Sequence, residues 1–375
     1  MNVKNSTNID IKRLNRHNVF RYIHRSGKAS RPEISKALNM SMPTVLQNVK
    51  ELLDFGLIQE IGQFESTGGR KASMLARVAE ARVAVGIDIT GSHIGFALVN
   101  LAGEMLHHKR VSAAFTNTAS YYEELGRLTG EYISSQPYPA WKLLGAGVSI
   151  PGILDEKGRS IVYSHALDLQ SMPCEVITRH ITFPCYFMND ANAAGMGESG
   201  WMEAGGTMVY LSLSNSVGGA VFIDGRLYKG LNQRSGEFGH MRLVPGGRRC
   251  YCGQTGCVDA YCSALVLVKE TGITPEEFFT ALGSGDKKYQ STLDEYCDYL
   301  ALTITNLYMS FDCNVVLGGY IGGYLEPYLP EILERVKKLS PFEQKGIFLN
   351  TCRCRTEASA YGAAMQLVEK FMESI

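Results

Sequence analysis

The residues best suited to chemistry in this chain are His240, Cys250, Cys252 and Cys257, spaced H-x9-C-x-C-x4-C. One imidazole and three thiolates make a closed tetrahedral donor set. That set suits structural zinc and leaves no open position for a reacting water. Pro245-Gly246-Gly247, Gly253 and Gly256 would let the backbone fold tightly around an ion. The chain has ten cysteines. Buried free cysteine is a common core residue, but three within eight positions beside a histidine favour a metal. Cys262 falls in an apparent helix and is expected to pack in the core. A disulfide framework is not expected in a reducing compartment.

A second constellation is polar. Asn189 and Asp190 stand where a strand gives way to a helix, the place where α/β proteins bind ligands. Glu237 precedes His240 by three residues, and Asp259 follows Cys257 by two. Taken singly, an Asn-Asp pair is more often a turn or a helix cap. Together these groups supply the fixed acceptors and amides that a sugar's hydroxyls need, and their unpaired atoms would reject the wrong isomer. Zinc would hold the loop that carries Glu237 and Asp259.

Stepping from these groups to the elements that position them, residues from Val83 onward alternate strands with helices, as an α/β domain does. Core-type strands are expected at 83–89, 93–99, 143–149, 208–213, 220–223 and 315–319, with helices near 120–135 and from Ala358. The two strand–helix sets imply two lobes and a cleft. Lobe one is expected over about 81–193 plus the C-terminal helix, and lobe two over about 194–355.

The first 80 residues read differently. Apolar positions at Ile11, Leu14, Val19, Phe20 and Ile23 predict a helix. Ser30-Arg31-Pro32-Glu33 is a capping box with an early-helix proline. Ser41 caps a further helix through Val45, Val49 and Leu52, which Gly56 ends. A strand, a Gly-rich bend at Thr67–Lys71 and a return strand at 73–78 complete a winged helix-turn-helix. Ser41, Thr44, Gln47 and Asn48 are candidates for DNA contacts in the major groove, and Lys50 for a phosphate. Arg70 and Lys71 could enter the minor groove from the wing tip. Residues 1–80 hold 13 Lys and Arg against 7 Asp and Glu, and the remainder holds 24 against 30. The net charge of zero therefore excludes a uniformly basic coat protein but conceals a basic module on an acidic one. No apolar run is long enough for a membrane helix. The polar start lacks a secretory signal, so a cytoplasmic protein is expected.

Gly236-Glu237-Phe238-Gly239-His240 followed by Cys250–Cys257 resembles the signature of the ROK family (repressors, open reading frames and sugar kinases). Asn189–Ala194, Gly225–Gly230 and Val148–Gly152 resemble further family segments, and the likeness covers nearly the whole chain. The resemblance implies a two-lobed, actin-like and ribonuclease-H-like fold behind the winged helix. It also implies sugar contacts from Asn189, Asp190, Glu237, His240 and Asp259. In the family's kinases the aspartate matched by Asp190 is the catalytic base; in its repressors it is a sugar ligand. Asp259 stands where the family usually has glutamate, and Ala166 where many members have asparagine.

Kinases of the family carry glycine at the positions of Thr90, Ser214, Ser216 and Ala220. ATP phosphates need close backbone approach, and the added side chains would crowd them. The expectation is a non-enzymatic, sugar-responsive repressor in which Asp190 is a vestigial base. Its structural zinc would be held by His240, Cys250, Cys252 and Cys257. It would bind palindromic operator DNA as a homodimer or higher oligomer and respond to a mono- or disaccharide. Xylose, glucose and N-acetylglucosamine are the candidate sugars. The competing reading is an ATP-dependent sugar kinase with an added DNA-binding domain.

Overall fold

The computed structural model describes residues 8–63, 73–200, 206–342, 348–354 and 357–375. The N-terminal part runs α1 (Asn8–Ser26), β1 (Lys28–Ser30), α2 (Arg31–Leu38), α3 (Met42–Asp54), β2 (Ile58–Gln63) and β3 (Ser73–Arg77), with sheet order β1-β3-β2. The capping box forms as the sequence predicts. Glu33 Oε2 accepts from the Ser30 amide at 2.7 Å, and Ser30 Oγ accepts from the Glu33 amide at 3.4 Å. Asn39 supplies the turn in the left-handed region at φ 51°. Ser41 caps α3. The expected helix α1 is present, but its apolar face is shorter than the spacing suggests. Val19, Phe20 and Ile23 are buried, whereas Ile11 and Leu14 are 45% and 57% exposed. The wing's bend, with Arg70 and Lys71, lies outside the described residues.

Lobe one contains β4 (Val83–Ile89), β5 (His93–Asn100), β6 (Met105–Ser112) and β7 (Leu143–Ile150), with α4 (Ala119–Ser134) between the last two. Three short strands follow as a separate antiparallel sheet: β8 (Ile153–Leu154), β9 (Ser160–Ser164) and β10 (Leu169–Pro173). Then come α5 (Cys174–Ile177), β11 (Cys185–Asn189) and α6 (Asp190–Ser199). Lobe two contains β12 (Met208–Leu213), β13 (Val217–Ile223), β14 (Arg226–Tyr228), β15 (Asn314–Gly318) and β16 (Leu349–Thr351). The two main sheets are ordered β11-β7-β4-β5-β6 and β14-β13-β12-β15-β16. Each begins with a strand that pairs antiparallel to its successor and parallel to the fourth strand of its set. The lobes therefore share one topology. All seven residues of β4 and all six of β12 are buried, as expected for strands covered on both faces.

Two helices lie where the lobes join. The C-terminal helix (Ala358–Ser374) packs on β4, β5 and β7 of lobe one and on α6. Helix α6 also packs on β12 and β13 of lobe two, so it belongs to both lobes rather than dividing at residue 193. Close approach requires glycine here: a Cβ on Gly362 would lie 1.6 Å from the Ala193 carbonyl oxygen. The winged helix is not a detached module. Val19, Phe20 and Ile23 share one apolar core with Val99, Leu101, Tyr361 and Val368. The Ile375 carbonyl accepts from Arg16 Nε at 2.8 Å, and the Met372 carbonyl accepts from His17 Nδ1 at 2.9 Å.

Candidate functional site

The metal ligands converge. One ligand atom each from His240, Cys250, Cys252 and Cys257 lies within 4.8 Å of the others. Cys252 Sγ and Cys257 Sγ are 3.8 Å apart. That is the edge of a regular tetrahedron whose centre-to-sulfur distance is the ~2.3 Å of a zinc–thiolate bond. The donors present fit a four-coordinate metal in type and number, and this pair fits it in spacing. The loop's own hydrogen bonds shape it: Cys250 N donates to Gln254 O at 2.8 Å, and Gly256 N to Arg248 O at 2.8 Å. Gly256 has φ +78°, and a Cβ there would meet the Val244 oxygen at 1.8 Å, so only glycine fits. Cys262 is fully buried outside the cluster, as expected of a core cysteine.

Beside this loop lies a cavity of about 580 Å³ with walls from both lobes; Asn189, Asp190, Glu237 and His240 all line it. Strand β11 and the first turn of α6 position the first pair. Asn189 caps α6, accepting from the Asn192 amide at 3.0 Å through Oδ1. Its Nδ2 donates to the Gly152 carbonyl and to Asp190 Oδ1, both at 3.0 Å. Asn189 is thus committed to orienting Asp190 and the Pro151-Gly152 turn. Burial pushes the Asp190 carboxyl above its ordinary pKa, while the surrounding N–H donors pull it back. Burial likewise raises Glu237, opposed by the charge of His240. Carboxyl acceptors held in fixed positions are well suited to hydroxyl ligands, whose O–H groups donate to them.

Asp259 departs from expectation. It is buried but does not line the cavity. Its Oδ1 accepts from the Val217 amide at 2.6 Å and so ties the metal loop to the start of β13.

On the N-terminal part, Ser41, Gln47 and Lys50 are exposed along α3 and Thr44 is half-buried. Asn48 must be withdrawn from the DNA-facing set. It is only 3% exposed, in the buried stripe with Val45, Val49 and Leu52, and its Nδ2 donates to the Thr44 carbonyl at 2.7 Å. Met42 and Leu46, which the sequence reading did not single out, are 38% and 48% exposed on the same helix. Among the cavity residues that the sequence did not single out are His165 and Tyr251, which no local spacing connects.

The fold and site define a two-lobed α/β protein with a cysteine-histidine cluster able to hold a metal at the edge of a polar cleft and a winged helix fused to lobe one. The ROK family model matches residues 84–370, and the chain belongs to that family. The xylose repressor of Bacillus spizizenii is 28% identical over 322 residues, covering 82% of each chain. The solved structure of a ROK family transcriptional regulator, a homologue of the Escherichia coli Mlc protein, aligns over 97% of both chains with TM-score 0.80 and 21% identity. A ROK family glucokinase from Streptomyces griseus, solved with glucose and AMPPNP, aligns over 76% of this chain and 98% of its own, with TM-score 0.66 and 22% identity. The likeness to both structures is one of fold. The family model leaves residues 1–83, which hold the winged helix, outside the match.

Proposed function

We propose that this chain is a sugar-responsive transcriptional repressor that binds operator DNA through α3 and the wing and binds a mono- or disaccharide in the cleft. One observation carries the reading: α3, with its exposed polar residues, shares one apolar core with the C-terminal helix, and that helix packs on α6, which begins at Asp190 in the cavity wall. Helix α6 starts at Asp190 and packs on the C-terminal helix, whose end is bonded to Arg16 and His17 of α1. Sugar that binds one lobe arrangement better than the other shifts the population, and with it the placement of the winged helices. A palindromic operator and a dimer follow from two-fold matching. Repressor names among the relatives support this assignment, and xylose is the first sugar to test.

The loops at the strand ends support a role without ATP turnover. Thr90 Oγ1 accepts from the amides of Ser92 and His93, at 3.4 and 2.9 Å. Ser214 Oγ accepts from the Tyr320 amide at 3.1 Å, and Tyr210 OH accepts from the Gly319 amide at 3.1 Å. Backbone N–H groups that a phosphate would need are thus already bonded to side chains. Asp190 remains as a sugar ligand, and zinc at His240, Cys250, Cys252 and Cys257 keeps the loop shaped. The test is a thermal-shift screen of xylose, glucose, N-acetylglucosamine and disaccharides, run beside an ATP-turnover assay. A sugar-induced rise in Tm that Asp190→Ala abolishes, with no turnover, is expected. Sugar-dependent ATP hydrolysis that Asp190→Asn abolishes would establish the kinase reading instead.

A further inference from the structure

Tyr251 stands between two of the metal-binding cysteines yet has no place in the donor set. Its ring lies on the imidazole of His165, with centroids 4.3 Å apart and planes within 5° of parallel. His165 belongs to lobe one, on the turn between β9 and β10, and Tyr251 belongs to lobe two. Both rings line the cavity.

Each ring is anchored within its own lobe. Ser164 Oγ donates to the Pro151 carbonyl at 2.5 Å and accepts from the Leu167 amide at 3.2 Å, which fixes the turn around His165. Tyr251 OH lies 3.3 Å from His240 Nε2, and its ring is edge-on to that imidazole at 5.4 Å. The metal loop therefore sets where Tyr251 stands. Tyr251 is 44% exposed, so the stack lies at the boundary with solvent and is not core packing. Rings 4.3 Å apart leave no room for a sugar ring between them.

We infer that His165 and Tyr251 form an aromatic clasp across the cleft that retains the ligand. The rings part when ligand enters or leaves, and the metal loop holds one half of the clasp in register with the other. The identity of the ligand rests on the sugar-binding reading above; the clasp itself does not. Aromatic pairs of this kind change an equilibrium by about two- to twelve-fold, strong enough to slow escape and weak enough to open thermally. Both residues are positioning residues.

The test uses the full zinc-loaded chain and three variants, Tyr251→Ala, Tyr251→Phe and His165→Ala, each with its metal content measured. Hydrogen exchange of the backbone amides of residues 160–173 is followed without ligand. Faster exchange is expected in both alanine variants, by about two- to twelve-fold, and wild-type exchange in Tyr251→Phe, which keeps the stack and lacks the hydroxyl. Xylose, glucose and N-acetylglucosamine are then tested in turn for dissociation rate, which the alanine variants should raise by a similar factor. Unchanged exchange in Tyr251→Ala with zinc retained would overturn the clasp. Exchange in Tyr251→Phe as fast as in Tyr251→Ala would also overturn it, because the hydroxyl contact to His240 would then be the one that matters. If no sugar binds the wild type, the functional reading fails while the exchange comparison still decides the clasp.

Discussion

Replacing Asp88 by asparagine is expected to stabilise the protein at neutral pH and to remove a pH dependence that the wild type carries. Asp88 is 9% exposed on β4, and Ser149 Oγ donates to its Oδ1 at 2.7 Å. Burial raises its pKa from 3.8 to about 6; Ser149 opposes the rise, and the nearby charge of Asp190 adds to it. In the unfolded chain the group titrates near its ordinary value. Between the two values the folded state holds the proton more tightly. Stability is therefore greatest when both states are protonated and is lost as pH rises through that window. At ~1.4 kcal/mol per tenfold change in proton affinity, the cost is on the order of 1 kcal/mol at pH 5 and grows to a few kcal/mol at pH 7.5. Asparagine keeps the acceptor for Ser149 and never ionises. Urea unfolding of wild type and Asp88→Asn across that pH range measures the difference. A gain that grows with pH supports the argument. A gain that stays flat between pH 5 and pH 7.5, or a loss, refutes it.

Five further outcomes follow from other parts of the molecule. Cys252→Ser should lower the bound zinc measured by elemental analysis after chelator competition, because a neutral hydroxyl is a far weaker zinc ligand than the thiolate it replaces. Gly362→Ala should cost about 1–3 kcal/mol of stability by overpacking against Ala193. By contrast, Gly130→Ala, with nothing within 4 Å of the added Cβ, should gain about 0.5–1 kcal/mol in the same unfolding assay. Lys50→Ala should weaken DNA binding uniformly across sequences and reduce the salt slope by about one. Gln47→Ala should instead relax the sequence preference, at about 1–3 kcal/mol for the base pair it reads.

What the sequence made legible was local. His240 and the three cysteines are close in sequence, so their spacing alone announces that the four donors converge. The caps at Ser30 and Ser41 and the start of the C-terminal helix at Ala358 are also set by neighbouring residues. Asn48 was misplaced although its signal was present: it lies three residues after Val45 and four before Leu52, on the buried stripe of α3. Asp259 could not be placed from spacing, because its partner Val217 is 42 residues away and only the tertiary fold brings that amide to it. The stack of His165 on Tyr251 joins residues from different lobes for the same reason. The repeated sheet topology was also hidden, since the two lobes share the order of their strands without an evident sequence repeat. Helix α6 reads as a lobe boundary in sequence, yet its small residues let it pack on both sides.

The central claim is that sugar in the cleft changes the hold of the winged helix on DNA. Fluorescence anisotropy with a duplex selected from a random library measures it directly, by titrating xylose, glucose and N-acetylglucosamine into the preformed complex. The account predicts that one sugar shifts the apparent Kd by at least about fivefold, a coupling of ~1 kcal/mol. Asp190→Ala should bind the same duplex with wild-type affinity and show no shift. A Kd that no sugar moves, or one that moves equally in Asp190→Ala, would contradict it.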